Sequence, residues 1–323
     1  MQHRLIFLLA SGLAAGSATD VALAQARLFQ APLACTRACL IVTANDYLAA
    51  LVAHDPSKVK LSPDLKFVEN TQRLKAGEGL WMTASAVPTR FALPVPDPVS
   101  GQIGFIGMME ESGEPIQLGL RLKVENGAIT EAEHLVVRSF NGNALDNLQT
   151  LRPGLLAEIP AAQRSPREIL LAIGMTYYDS IEQSSGDATL FADDCERREN
   201  GMITAGGAGL GLDGEPRQGC HAQMDTRTFT YIDSIDFRRV WIADPVTGLA
   251  FGLSHFRHSM TNKEIMVFDR TGKLVPRDMS RFNPFDLPAA HIFKIRDNRI
   301  HEIEALGFTM PYMSNGGWSD FPR

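Results

Sequence analysis

The chain is poor in the features that announce familiar chemistry. It has no Gly-x-Ser-x-Gly elbow, no reactive lone cysteine and no dinucleotide-binding glycine fingerprint, which disfavours covalent and redox catalysis. It has no Cys-x-x-Cys or His-x-x-x-His grouping, so no zinc site is expected. The glycine run from Gly207 to Gly214 lacks a Lys-Ser/Thr ending and is not a phosphate loop. No Lys/Arg stripe interrupts the scattered charges, and the net charge is −6. Nucleic acid and anionic membrane surfaces are therefore not expected partners. Beyond the N-terminus no run reaches the ~18 apolar residues of a membrane span.

The N-terminus itself reads as a targeting segment. His3 and Arg4 precede an apolar run from Leu5 to Ala15, and Ala22-Leu23-Ala24 and Ala24-Gln25-Ala26 offer small-x-small cleavage patterns. Residues 1–26 are expected to be a signal peptide, and the mature protein secreted or periplasmic. In that compartment an even count of four cysteines reads as disulfides. Local pairing is simplest: Cys195 with Cys220 and Cys35 with Cys39, the second at tight geometry within one helical turn.

The most informative feature is an internal repeat. Leu40, Ile41, Ala44, Tyr47, Leu48 and Leu51 match Leu170, Leu171, Gly174, Tyr177, Tyr178 and Ile181 at an offset of 130, and Glu69-Asn70 matches Glu199-Asn200. The spacing is one face of an amphipathic helix. Ser165, Pro166 and Glu168 predict a capped start for the second helix. Asp97-Pro98-Val99-Ser100-Gly101 matches Asp244-Pro245-Val246-Thr247-Gly248 at an offset of 147, each a turn into a strand. The extra residues fall mostly in the glycine-rich stretch from Ala205 to Gly219, expected to be a mobile loop. Residues 122–129 match 293–300 at an offset of 171, each a strand, a tight turn and a strand. Glu131 and Glu133 recur as Glu302 and Glu304.

Each unit is thus a long helix followed by strands, and helix on curved sheet is the natural way to bury both. The Tyr47-x-x-Ala50-Leu51 helix and the hairpin ending Lys123-Val124-Glu125-Asn126-Gly127-x-Ile129-x-Glu131 resemble the NTF2-like, or SnoaL-like, superfamily. The segment 195–201, running on to Cys220, Phe229-Thr230-Tyr231 and Arg238-Arg239, resembles secreted bacterial and fungal members of largely unassigned function. The resemblance covers most of residues 36–136 and 166–308. It implies an α+β fold of two tandem cone-shaped domains, each of helix packed on a curved antiparallel sheet. The expected division is domain 1 at 32–137, a linker at 138–164, domain 2 at 165–311 and a tail at 312–323. The tail is expected to cover a pocket or a domain interface.

The repeat also points to a site. Leu48, Met108 and Leu120 are replaced in the second copy by Tyr178, His255 and His291. Strand parity places both histidines inward, beside Phe251 and Leu253 or Phe293 and Ile295. An unsatisfied buried polar group costs roughly 1–3 kcal/mol, so these three need partners or a ligand. A buried histidine can act as a neutral base, and Tyr178 can donate to an oxyanion. The competing reading is a hydrogen-bonded core. A metal on His255, His291 and His221 lacks ligand spacing, so none is expected. Tyr231, Arg238 and Trp241, on a strand read as spanning residues 230–243, are candidates for substrate binding. Arg238 or Arg239 would hold an anionic group, unless paired with Asp233, Asp236 or Glu199. Arg257, His258 and His301 are read as rim or solvent-facing. The resemblance implies a cofactor-independent lyase or isomerase working on a small, mostly apolar, aromatic compound in the second domain, with a lignin fragment as one environmental source. The alternative is a non-catalytic binding or assembly module. A homodimer is left open.

Overall fold

The computed structural model describes residues 35–211 and 214–318. The expected signal peptide and the last five residues lie outside the described residues. The first copy runs α1 (Arg37–Val52), β1 (Leu61–Glu69), β2 (Gln72–Leu74), β3 (Ala84–Ala86), β4 (Ala92–Asp97), β5 (Gln102–Glu111), β6 (Glu114–Glu125) and β7 (Ala128–Val137). The second runs α2 (Arg167–Gln183), β8 (Phe191–Glu199), β9 (Met202–Ala205), α3 (Cys220–Asp225), β10 (Ser234–Asp244) and β11 (Leu249–His258). A two-stranded excursion, β12 (Glu264–Phe268) and β13 (Leu274–Asp278), comes next. The copy ends with β14 (Phe285–Arg296), β15 (Arg299–Gly307) and β16 (Met310–Pro311).

The repeat is realised in the topology. The first sheet has the order β2-β1-β7-β6-β5 with β3 and β4 on β5; the second has β9-β8-β15-β14-β11-β10. The sequence offsets fall on matched elements: α1 on α2 and β1 on β8 at 130, β5 on β11 at 147, β6 on β14 at 171. Two tandem cone-shaped units of helix on curled sheet are therefore present. One refinement is needed. β1 pairs β7 in parallel and β8 pairs β15 in parallel, so each sheet has one parallel pair among antiparallel ones. The five strands between β1 and β7, and the six between β8 and β15, give the chain the length to return and lie parallel to its first long strand.

The cores follow from the helix faces. α1 has no acidic residue in its first turn and no basic residue in its last. Burial holds it: Leu40, Tyr47 and Leu51 pack on Leu118, Leu120 and Leu122, each worth about 1.5–3 kcal/mol. In the second copy Leu170, Tyr177, Tyr178 and Ile181 pack on Phe293 and Ile295. The start of α2 differs from expectation. Its N-cap is Pro166, without a side-chain cap. The Ser165 hydroxyl is engaged by Asn298 Oδ1 at 2.9 Å instead.

The opposite faces of the sheets pack on each other. Leu93, Val95 and Ile106 of the first copy share a core with Ile242, Phe251, Leu253 and Ile292 of the second. Gly104 permits the approach, since a Cβ there would lie 2.3 Å from the Phe251 ring. Two ion pairs close this interface reciprocally. Arg37 at the start of α1 donates to Asp244 Oδ2 at 2.9 Å, and Arg167 at the start of α2 meets Asp97 Oδ2 at 2.7 Å. Arg37 matches Arg167 and Asp97 matches Asp244 in the repeat. Such mutual exchange is the mark of a two-fold, isologous interface, here formed within one chain.

The linker is pinned to the second copy. Leu148 and Leu155 are buried. Arg152 reaches Glu196, Glu302 and Glu304. Lys294 donates to the carbonyls of Leu155, Ala157 and Thr247, and burial lowers its pKa to about 8. The described end of the chain touches both copies. Ser314 is bound to Asp286 and Arg257, and the Arg121 guanidinium lies 4.8 Å from the Trp318 ring.

Candidate functional site

The second cone encloses a chamber of about 130 Å³. A dry cavity of roughly 150 Å³ is known to admit benzene, so the volume suits one ring. Its wall is apolar on the helix and sheet side, with Ile181, Phe256, Leu287 and Ala305. It is polar at Arg197, Glu199, His258 and His291. An outer cleft of about 630 Å³ shares Arg197, Glu199, Phe229 and Tyr231 with it, so the two adjoin along this wall.

His291 sits on β14 and lines the chamber. Its Nδ1 lies 3.2 Å from the Tyr178 hydroxyl on α2, and its ring stacks on Phe293 at 5.9 Å. Burial, and then the nearby Arg197 charge, lower its pKa to about 3. Burial pushes the Tyr178 hydroxyl well above the usual phenol range. The pair therefore stays neutral across the physiological range. Arg197 on β8 is buried beside it. Its Nε donates to the Tyr177 hydroxyl at 2.8 Å, its Nη1 to Thr204 Oγ1 at 3.1 Å, and its Nη2 pairs with Glu199.

His255 is not with them. It lies on the face of β11 that carries Phe251 and Leu253, and that face is the domain interface. There it contacts Asp286 Oδ2 at 3.3 Å and Arg257 Nη1 at 3.3 Å. Burial, and then the Arg257 charge, lower its pKa. The expected inward placement is corrected for a physical reason. Every residue of β11 is buried, because one face meets the cone interior and the other meets the first copy. Parity separates two faces but does not choose between two buried ones. Met108 shares the same error, since it packs on the interface core.

The face of β11 that does line the chamber carries Phe256 and His258. His258, expected at the rim, is 3% exposed. It is sandwiched between Phe285 at 4.0 Å and Tyr231 at 5.5 Å. Burial lowers its pKa to about 4. Arg257 is also buried, paired with Asp236 and Asp286, while His301 pairs with Asp194. His221, on α3, pairs with Asp187 and Asp225 and lies outside the chamber lining. Among the described residues no cluster of three or more metal-ligating side chains is formed.

Of the substrate-binding candidates, Tyr231 lines both chamber and cleft. Arg238 does not line them; it is ion-paired, but with Asp179 and Glu182 of α2 and not with Asp233, Asp236 or Glu199. Trp241 is 47% exposed and carries the Arg239 guanidinium at 5.8 Å from its ring. The strand expected over 230–243 begins only at Ser234, and a bulge with Phe237 at φ +51° breaks its alternation. Both disulfides are formed: Cys195–Cys220 ties β8 to α3, and Cys35–Cys39 closes the start of α1. No helix among the described residues is long and apolar enough to cross a membrane.

Sequence reasoning missed Arg197, Glu199 and His258. Arg197 was within reach, because its match in the first copy is Phe67. That is the same apolar-to-polar exchange that singled out His291. The reverse exchange was missed too. His134 of the first copy matches Ala305 of the second. It is fully buried between Tyr47, whose hydroxyl is 3.0 Å from Nε2, and Glu69, 3.1 Å from Nδ1.

Comparison with known proteins adds a family match for the second copy. Residues 163–307 match the family described as Domain of unknown function (DUF8021). No curated protein matches the chain. Among solved structures the chain is similar to a presumed polyketide cyclase from Silicibacter sp. TM1040. The identity is 13%, over 44% of this chain and 90% of that one, with a TM-score of 0.28. It is also similar to a presumed polyketide cyclase from Xanthomonas campestris pv. campestris, at 17% identity over 44% and 92%, TM-score 0.27. A third is AusH from Aspergillus nidulans, at 10% identity over 47% and 90%, TM-score 0.26.

Proposed function

We propose that the protein is a cofactor-independent lyase or isomerase, acting by acid–base chemistry on a small aromatic compound seated in the second cone. The observation that carries this is the chamber itself. It is ring-sized, and its lining joins a neutral histidine and a buried guanidinium to apolar side chains, the histidine being held by the Tyr178 phenol from outside the lining. His291 would take a proton from carbon beside a carbonyl. Tyr178 holds its Nδ1, leaving Nε2 for the substrate. The Arg197 guanidinium would stabilise the enolate charge that develops, where a preorganised charge in a dry site counts most. That developing anion would also offset the burial and Arg197 repulsion that hold the His291 pKa down. Phe256 and Tyr231 on the chamber wall would pack against the ring. Export to the periplasm or beyond belongs to the same reading and is supported by the two disulfides. His255, placed on the interface face, is no longer assigned a role in the chemistry.

A second reading is binding without turnover. One observation favours it: a base with a pKa of about 3 is poorly matched to work near neutrality. The two readings separate in one experiment. With a substrate found by screening oxygenated aromatic compounds, His291→Gln is expected to lower turnover by about 10²–10⁴ while leaving the fold intact. Tyr178→Phe should lower it less. A ligand that binds and is recovered unchanged, or turnover that survives His291→Gln, would leave the binding module as the better account.

A further inference from the structure

The outer cleft differs in chemistry from the chamber it adjoins. Five arginines line it, Arg197, Arg217, Arg270, Arg277 and Arg281, against Glu199 and Asp278. Among the described residues the lining is thus rich in arginine in a chain of net charge −6, and Arg270 is already engaged by a partner of its own. Glu199 is already paired with Arg197. Arg217 donates to the Ala208 carbonyl and Arg277 to the Thr228 hydroxyl, while Arg281 lies over the Phe282 ring. Among the described residues none of these three has a carboxylate within ion-pair distance. Arginines gathered at a cavity mouth attract anions and bind carboxylates through two parallel N–H donors.

The origin of the cleft strengthens the point. It is built by the two stretches that the second copy has and the first lacks. Arg217 comes from the glycine-rich insertion between β9 and α3. Arg270, Arg277 and Arg281 come from the excursion between β11 and β14. Both insertions stand over the second cone, and both bring arginine.

We propose that the cleft is the anion-recognising half of the site. The ligand is an aromatic acid, with its ring in the chamber and its carboxylate among Arg277, Arg281 and Arg217. This deepens the functional proposal and rests on the chamber being the ligand's seat, but not on any reaction occurring there.

The test is calorimetric titration of the disulfide-bonded protein with benzoate and cinnamate beside the matched neutral amides, benzamide and cinnamamide. The acids are expected to bind about tenfold or more tightly than the amides, and to lose that advantage as salt is raised. Arg277 and Arg281 are exposed, so Arg277→Gln with Arg281→Gln should leave the fold unchanged by circular dichroism. The double variant should bind the acids about tenfold more weakly, with amide binding unchanged. Equal binding of acid and amide, a preference that survives the double variant, or no binding of either at millimolar concentration would each overturn the proposal. Failure of the acid–base reading would show elsewhere, as turnover retained in His291→Gln.

Discussion

The two copies share one topology and fill it differently. In the first, Tyr47, His134 and Glu69 form a hydrogen-bonded line, with Phe67 4.8 Å from His134 and Trp81 5.2 Å from Tyr47. The four rings are almost wholly buried and occupy the cone. In the second, Arg197 replaces Phe67, Ala305 replaces His134 and His291 replaces Leu120. The exchange of an imidazole for a methyl at residue 305 removes volume at the site where the chamber opens. A duplicated fold can thus keep one copy closed as a packed partner and open the other as a vessel. These three exchanges act within a shared sheet order, and the two insertions of the second copy add the cleft beside the chamber.

The matched glutamates sharpen the comparison most. Glu133 of the first copy reaches Arg239 of the second at 2.6 Å and its own Arg121 at 3.2 Å. Although burial opposes ionisation, Arg239 and then Arg121 lower its pKa to about 2. Glu304, its counterpart, is buried with Arg152 as its main partner and Glu302 nearby, and burial raises its pKa to about 7. Removing Glu133 leaves the buried Arg239 guanidinium without its paired carboxylate, while Arg121 keeps Glu131. Glu133→Gln is expected to destabilise the protein by about 3–5 kcal/mol in urea denaturation. A loss below about 1 kcal/mol would show that the interface does not depend on this charge.

The disulfide of the second copy has no counterpart in the first, where residue 65 is Leu. Cys195→Ala with Cys220→Ala opens a loop of sequence separation 25. In the chain-entropy model it should cost about 3 kcal/mol. A difference within error of zero would mean that the insertion is held by its other contacts.

The smallest effect concerns pH and has opposite signs in the two copies. Glu133, with its pKa lowered, contributes stability that is present above its ordinary value of 4.5 and lost as pH falls toward 2. Glu304, with its pKa raised, contributes stability that is present below 4.5 and lost as pH rises through about 7. Glu304→Gln should therefore gain stability relative to wild type by about 1–2 kcal/mol between pH 5 and pH 8. A pH-independent difference would contradict the assignment.

Much of this was legible in the sequence because a duplication carries its own comparison. The offsets of 130, 147 and 171 fixed α1 on α2, β5 on β11 and β6 on β14. The Tyr178 and His291 exchanges led to two groups that do meet. His255 and Met108 were misplaced because both faces of their strands are buried, which pattern alone does not resolve. Tyr231 reached the chamber although it stands before β10, not within it. Trp241 was displaced by the bulge at Phe237, which shifts parity along β10. His258 was read as peripheral, and nothing local in the sequence shows that Tyr231 and Phe285 fold over it. The reciprocal pairs Arg37–Asp244 and Arg167–Asp97 join residues about 207 and 70 apart in sequence, a separation that only the assembled interface brings together.

The central claim is that the second cone, opened by the loss of an imidazole, is where this protein holds its ligand. Ala305→His restores at that position the residue of the first copy and would refill the chamber. Titration of this variant with an aromatic ligand that binds the wild-type protein is the direct measurement. Binding should fall at least about tenfold, as expected when a ring-sized space is occupied, while the thermal transition stays cooperative and both disulfides remain formed. Wild-type affinity in a folded Ala305→His variant would place the ligand elsewhere and contradict the account.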